Sequence, residues 1–128
     1  MDANLQILVV DDYITMVRIV RKLLKQIGYE NVDEASNGEM ALRMIKEKKY
    51  GLIISDWNME PMTGFELLRH VREAEETAKT PFILVTAESR PDNVVAAQKL
   101  GVNEYLVKPF SAPVLKDKID KALAKVSA

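Results

Sequence analysis

The chain predicts an α/β domain built on a doubly wound, five-stranded parallel sheet in the order 2-1-3-4-5. Three features carry that expectation. Short apolar runs alternate five times with segments whose apolar residues recur at helical spacing, the pattern of repeated strand-helix units. The run Leu52-Ile53-Ile54-Ser55 is apolar without alternation, as suits a strand covered on both faces. The connections are short, which favours right-handed crossovers with helices on both sides, and 2-1-3-4-5 is the common solution at 128 residues.

Each element has its own reason. Leu5 to Val10 reads as the first strand. From about Tyr13 to Ile27, residues Val17, Ile19, Val20, Leu23, Leu24 and Ile27 form a helical stripe, closed by Gly28. Asn31 to Ala35 is a short second strand, and Asn37-Gly38 turns the chain into a helix whose apolar face is Met40, Ala41, Met44 and Ile45. The central strand then ends at Asp56. Thr63 with Glu66 three residues on makes a capping box for a helix carrying Phe65, Leu67, Leu68 and Val71. Pro81 opens a strand over Phe82 to Val85, ending at Thr86-Ala87. Pro91-Asp92 fits the first turn of a helix that runs to Leu100 and stops at Gly101. Glu104 to Val107 is the fifth strand, and after Lys108-Pro109-Phe110 a last helix covers about Ala112 to Val126, leaving Ser127-Ala128 as a fraying tail. No repeat, low-complexity stretch or linker interrupts this series, so residues 1–128 read as one domain.

Composition narrows the function. Hydrophobic residues make up 48% and charged residues 29%, with 18 basic against 19 acidic side chains and a formal charge of -1. That balance is of a soluble globular protein without the basic footprint of a nucleic-acid binder. The absence of cysteine excludes disulfides, thiolate zinc sites and cysteine nucleophiles, and fits a reducing cytoplasm. Met1-Asp2-Ala3-Asn4 lacks the basic segment of a secretion signal, and no segment approaches the ~20 apolar residues of a membrane span. A cytoplasmic protein with no membrane contact is expected.

Ligands of open α/β sheets bind at the carboxyl ends of the strands, where strand order reverses. In the order 2-1-3-4-5, Asp11 and Asp12 after the first strand face Asp56 at the end of the third, Thr86 ends the fourth, and Lys108 follows the fifth. Three carboxylates, a hydroxyl and an ammonium thus share one rim although the chain scatters them. Two carboxylates about 5 Å apart repel by roughly 3 kcal/mol at an effective dielectric near 20, so the rim calls for more positive charge than Lys108 supplies. An all-oxygen, thiol-free set suits Mg²⁺. A carboxylate, a metal, a lysine and a hydroxyl around one point are the parts of phosphoryl transfer.

Four segments in register then carry a resemblance. Val9-Val10-Asp11-Asp12, Ile54-Ser55-Asp56-Trp57-Asn58-Met59, Val85-Thr86-Ala87-Glu88 and Val107-Lys108-Pro109-Phe110 resemble, over essentially the whole chain, the receiver domain of two-component response regulators, nearest to its single-domain chemotaxis members. The resemblance implies the flavodoxin-like receiver fold. It implies that Asp56 takes a phosphoryl group from a phosphohistidine on a partner histidine kinase. Asp12 would bind Mg²⁺ directly, Asp11 mainly through water, and Asn58 through its carbonyl, beside Asp56 itself. Lys108 would pair with a phosphoryl oxygen, next to a cis Lys108-Pro109 bond. Thr86 would donate its hydroxyl to the phosphoryl group and Tyr105 would rotate inward, which together make the switch. Asn58 and Glu88 flank the site and would tune the lifetime of the acyl phosphate. The implied partners are the kinase, a phosphatase and a protein target, with the flagellar motor switch favoured and a phosphate sink or relay intermediate as the alternative. A monomer is expected, without catalytic turnover of a small substrate.

Taken singly, these residues have plainer readings. Asp11-Asp12 could merely cap a helix, Asp56 and Thr86 could be satisfied structural groups, and Lys108 a solvated loop charge. Those readings fail together, because they place the whole set on one rim by chance. Tyr105 rests on the resemblance alone. Trp57, the single tryptophan, reads as packing that doubles as a reporter of Asp56, and His70 as a helix residue away from the rim. Arg18, Arg21, Lys22 and Lys25 read as a solvated helix face. One departure stands out: receiver domains usually carry proline after the methionine of Met59-Glu60-Pro61, whereas here Glu60 adds a carboxylate near the expected metal. Other phosphoryl or nucleotide chemistries fit less well. A haloacid-dehalogenase-type phosphatase needs an aspartate where Asn58 stands, and a flavodoxin needs a hydroxyl-rich loop where Asp11-Asp12-Tyr13 stands. A pseudo-receiver would have lost part of the acidic set.

Overall fold

A computed structural model of the chain describes residues 4–87 and 90–127. The strands are β1 (Ile7–Val10), β2 (Val32–Ala35), β3 (Leu52–Asp56), β4 (Phe82–Thr86) and β5 (Glu104–Val107), all parallel and ordered β2-β1-β3-β4-β5. The helices are α1 (Ile14–Ile27), α2 (Gly38–Glu47), α3 (Gly64–Glu73), α4 (Pro91–Leu100) and α5 (Ala112–Ser127), with a short 3-10 turn at Glu75–Thr77. Fold class and strand order are those expected.

The sheet separates two cores. On one face Ile7, Val9, Leu52, Ile54 and Ile83 pack against α1 and α5 through Val17, Val20, Leu24, Leu115 and Ile119. On the other, Leu8, Val10, Ile53, Phe82 and Leu84 pack against α2, α3 and α4 through Ala41, Leu67, Leu68, Val71 and Ala97. Every residue of β1, β3 and β4 is buried, which is why these strands read as unbroken apolar runs.

The local signals hold with small shifts. Asn37 caps α2 by accepting a hydrogen bond from the Met40 N–H at 2.8 Å, and the Thr63–Glu66 capping box is complete on α3. Gly28 and Gly101 end α1 and α4 with φ of 120° and 97°, a backbone region that side chains with a Cβ rarely adopt. The first strand begins two residues later than expected, because ladder pairing starts at Ile7↔Val32 and Ile7↔Leu52; Leu5 still packs on the α1–α5 core. Ile19 does not belong to the buried stripe of α1: it is 46% exposed, on the far side of the turn from Val17 and Val20. The last helix continues to Ser127, where a fraying tail was expected.

A half-buried arginine ties the opposite end of the sheet together. Arg72 of α3 donates to the Thr80 carbonyl (2.7 Å), the Gly101 carbonyl (2.9 Å) and Asn103 Oδ1 (2.7 Å). Asn103 Oδ1 also accepts the Phe82 N–H at 2.7 Å, so one guanidinium joins α3, the start of β4 and the end of α4. Burial holds this arginine below its ordinary pKa, and carbonyl oxygens rather than a carboxylate satisfy it. Asp33 of β2 likewise accepts from the Tyr50 hydroxyl (2.7 Å) and Lys48 (2.9 Å), pinning the segment before β3.

Candidate functional site

Register brings the rim together. Val10 pairs with Ser55, so Asp11 leaves β1 level with the end of β3, while Asp56 pairs with Val85 and Thr86 with Val107. The ladder continues one step past each strand: the Asp11 N–H donates to the Ala35 carbonyl (3.1 Å), that of Trp57 to Val85 (2.8 Å), and that of Lys108 to Thr86 (2.8 Å). Chemistry-bearing side chains are therefore fixed by sheet hydrogen bonds and not by loops alone. Behind them, a Cβ on Gly64 would collide with the Asp56 carbonyl, so only glycine lets α3 begin this close to β3.

Three of the expected residues meet directly. Lys108 Nζ lies 2.6 Å from Asp56 Oδ1 and 3.9 Å from Asp11 Oδ2. Asp56 Oδ2 accepts the Asn58 N–H at 3.0 Å, and Asp11 Oδ1 accepts the Tyr13 N–H at 3.0 Å. Asp11, Asp56 and Thr86 are each only 6% exposed. Asp11 is not the N-cap of α1, a position held by Tyr13 without a side-chain cap bond, so capping does not explain the acidic pair. Burial, followed by the charge of Asp56, pushes the Asp11 carboxyl up to about 6, against the lowering effects of the Tyr13 amide and Lys108.

Asp12 and Asn58 take outer positions. Both are exposed, and both line an open depression of about 420 Å³ with Met59, Glu60, Pro61 and Thr63. Asp12 also borders a second depression of about 200 Å³ that includes Asp11. Glu60 therefore opens onto the same hollow as Asp12. Both Glu60-Pro61 and the expected Lys108-Pro109 bond are cis. Glu88 lies outside the described residues.

The rim fits a hard divalent cation by its chemistry. Its donors are all oxygen, and Asp11, Asp12 and Asp56 against Lys108 leave it two charges negative. Among the described residues no three His, Cys, Asp or Glu side chains close into a cage; the buried Asp11–Asp56 pair and the exposed Asp12 leave the rim open on the solvent side. That openness matches Mg²⁺, which keeps several waters and rarely takes an all-protein cage.

Tyr105 is partly buried and reaches the site through Trp57. The Trp57 ring stands edge-on to Tyr105 with centroids 6.2 Å apart and lies 5.2 Å from Phe65. Trp57 is thus both the residue after Asp56 and the neighbour of the proposed switch. His70 is exposed on α3, in a groove between α2 and α3 and away from the rim, as expected. Sequence reasoning had no signal for the Tyr13 amide on Asp11, which depends on how the loop folds over the strand end, whereas Glu60, read as a carboxylate near the expected metal, does share a depression with Asp12.

Comparison with known proteins agrees with this geometry. Residues 7–120 match the family described as the response regulator receiver domain. The chain is 45% identical over 123 residues to the chemotaxis protein CheY of Pseudomonas aeruginosa, covering 96% of this chain and 99% of that one. Its structure is similar to that of the chemotaxis protein CheY4 of Vibrio cholerae, with a TM-score of 0.88 at 35% identity over 94% of this chain and all of that one. It is also similar to the receiver domain of the sensor histidine kinase PA1611 from Pseudomonas aeruginosa, which has a magnesium ion coordinated in its active site cleft. There the TM-score is 0.85 at 25% identity, over 95% of this chain and 99% of that one.

Proposed function

This chain belongs to the response regulator receiver family, and we propose that it is a single-domain response regulator whose Asp56 accepts a phosphoryl group and thereby switches a protein-binding surface. The observation that carries the reading is the buried Asp56 carboxylate, held at once by Lys108 at 2.6 Å and the Asn58 N–H at 3.0 Å on an acidic rim. The family makes it a signalling domain of a two-component system and not a turnover enzyme.

In the proposed step a phosphohistidine of a histidine kinase presents its phosphorus to an Asp56 oxygen. The P–N bond breaks with its electron pair passing to the imidazole nitrogen as a P–O bond forms, giving an acyl phosphate. Lys108 shifts from the carboxylate to a phosphoryl oxygen, so its charge follows the charge being transferred. A bound Mg²⁺, held by Asp11, Asp12 and Asp56 with the Asn58 carbonyl, would supply the remaining positive charge on the phosphoryl oxygens. Water later hydrolyses the acyl phosphate; Asn58 tunes its lifetime, and Glu88, two residues after Thr86 in sequence, is assigned the same role.

The switch follows from what only the phosphorylated form offers. New acceptor oxygens draw the hydroxyl of Thr86, whose backbone carbonyl already accepts the Lys108 N–H, and Tyr105 rotates inward against Trp57. The face that reads this change runs over α4, β5 and α5, where Val95, Val107 and Val114 are 47%, 37% and 45% exposed. Chemotaxis proteins are among its relatives, and the target proposed on the resemblance is the flagellar motor switch. No described helix is long and apolar enough to cross a membrane, and the proposed site of action is the cytoplasm.

Intact-mass measurement after incubation with Mg²⁺ and a small phosphodonor such as acetyl phosphate tests the reading. One phosphoryl group should be gained, and Asp56→Asn should gain none. Equal incorporation in the variant would place the acceptor elsewhere.

A further inference from the structure

The loop between Asp56 and α3 is held in part from α2, a helix that carries none of the rim's carboxylate, ammonium or hydroxyl groups. We propose that the missing side chain of Gly38, the first residue of α2, forms the notch in which Met62 seats, and that this contact positions the loop from Asn58 to Thr63. The inference rests on the receiver reading above.

The backbone does not explain this glycine. Among the described residues, only Gly28 and Gly101 have positive φ, so Gly38 is in a conformation open to any residue. Helix propensity alone would favour alanine there. The packing explains it: a Cβ on Gly38, which is buried, would lie 2.8 Å from Met62 Sδ and 2.9 Å from its Cγ and Cβ. A thioether end can swing aside, but a Cβ moves only with its backbone. On one side the start of α2 is fixed by the Asn37 cap. On the other, Thr63 is fixed by its capping box with Glu66. The displacement therefore falls on residues 58–62, which include the Asn58 N–H that holds Asp56 Oδ2 and the wall of the hollow shared with Asp12. Gly38 is thus a positioning residue for chemistry that it does not touch, and misplacements well under 1 Å are costly at such sites.

The test compares wild type, Gly38→Ala, Met62→Gly and the double variant by Trp57-monitored Mg²⁺ titration and by hydrogen exchange of the Asn58 amide in metal-free protein. Gly38→Ala should weaken Mg²⁺ binding by about 10-fold and speed Asn58 exchange, whereas adding it to Met62→Gly should change neither. Wild-type affinity and protection in Gly38→Ala would overturn the proposal, and so would an equal loss in both backgrounds. Should Gly38→Ala not fold, a folded double variant supports the contact and an unfolded one overturns it. A wild type without any Mg²⁺ response refutes the proposed Mg²⁺-dependent phosphoryl acceptance, while Asn58 exchange still decides the role of Gly38.

Discussion

Replacing Asp11 by asparagine should make the metal-free protein more stable at neutral pH, although it damages the site. Burial and the neighbouring charge of Asp56 raise the folded-state pKa of Asp11 from 3.8 to about 6. Below pH 3.8 the group is protonated in both the folded and unfolded states and costs nothing. Between 3.8 and 6 the folded state binds more protons than the unfolded one, so stability falls as pH rises; above 6 the loss is complete. At 1.36 kcal/mol per pH unit the loss is about 3 kcal/mol, and coupling to Lys108 and Asp56 lowers the expected gain for Asp11→Asn to about 1–3 kcal/mol. Asparagine keeps an Oδ1 acceptor for the Tyr13 N–H, so the turn before α1 survives. Urea unfolding followed by Trp57 fluorescence, without Mg²⁺, should show the variant more stable at pH 7.5 and the difference nearly gone at pH 4. Equal stability at pH 7.5, or a gain that does not depend on pH, would refute the reasoning. Mg²⁺ should then stabilise wild type more than the variant, since it relieves the charge that asparagine has removed.

Other substitutions probe the scaffold and the rim separately. Arg72→Met leaves the Thr80 and Gly101 carbonyls without their guanidinium donor, while Asn103 Oδ1 keeps the Phe82 N–H, and should cost about 2–4 kcal/mol in urea unfolding; a loss below about 1 kcal/mol would mean that water replaces the guanidinium. Thr63→Ala removes the capping box of α3 and should cost about 1 kcal/mol, measurable as a lower unfolding midpoint at unchanged slope. Glu60→Gln and Glu60→Pro should each weaken Mg²⁺ binding by about 3-fold at low salt, the size expected of one charge across a wet cleft. An unchanged titration in both variants would show that Glu60 does not act on the metal.

The sequence spoke most clearly where period and burial coincide. Strands covered on both faces, β1, β3 and β4, are unbroken apolar runs, and the parallel order follows from their short connections, so the meeting of Asp11, Asp56 and Lys108 is legible in the sequence. Asn37, Thr63, Gly28 and Gly101 announced their turns because cap chemistry is local. Contacts between polar or irregular residues distant in sequence left no such mark. The Arg72 clamp on Asn103, the Asp33–Tyr50 bond and the seat of Met62 on Gly38 depend on loop geometry, which no periodicity encodes. Ile19 shows the opposite error: an apolar residue between two buried ones falls outside the stripe, because 100° per residue carries it past the core-facing edge.

The most direct measurement is Trp57 fluorescence during addition of Mg²⁺ and then of a small phosphodonor, with Asp56→Asn alongside. Trp57 follows Asp56 and stands edge-on to Tyr105, so it senses both the rim and the switch. A metal-dependent change that deepens with the phosphodonor, and whose second step is missing in Asp56→Asn, is the expected result. A fluorescence signal indifferent to Mg²⁺, or a second step that survives in the variant, would contradict phosphoryl switching at Asp56.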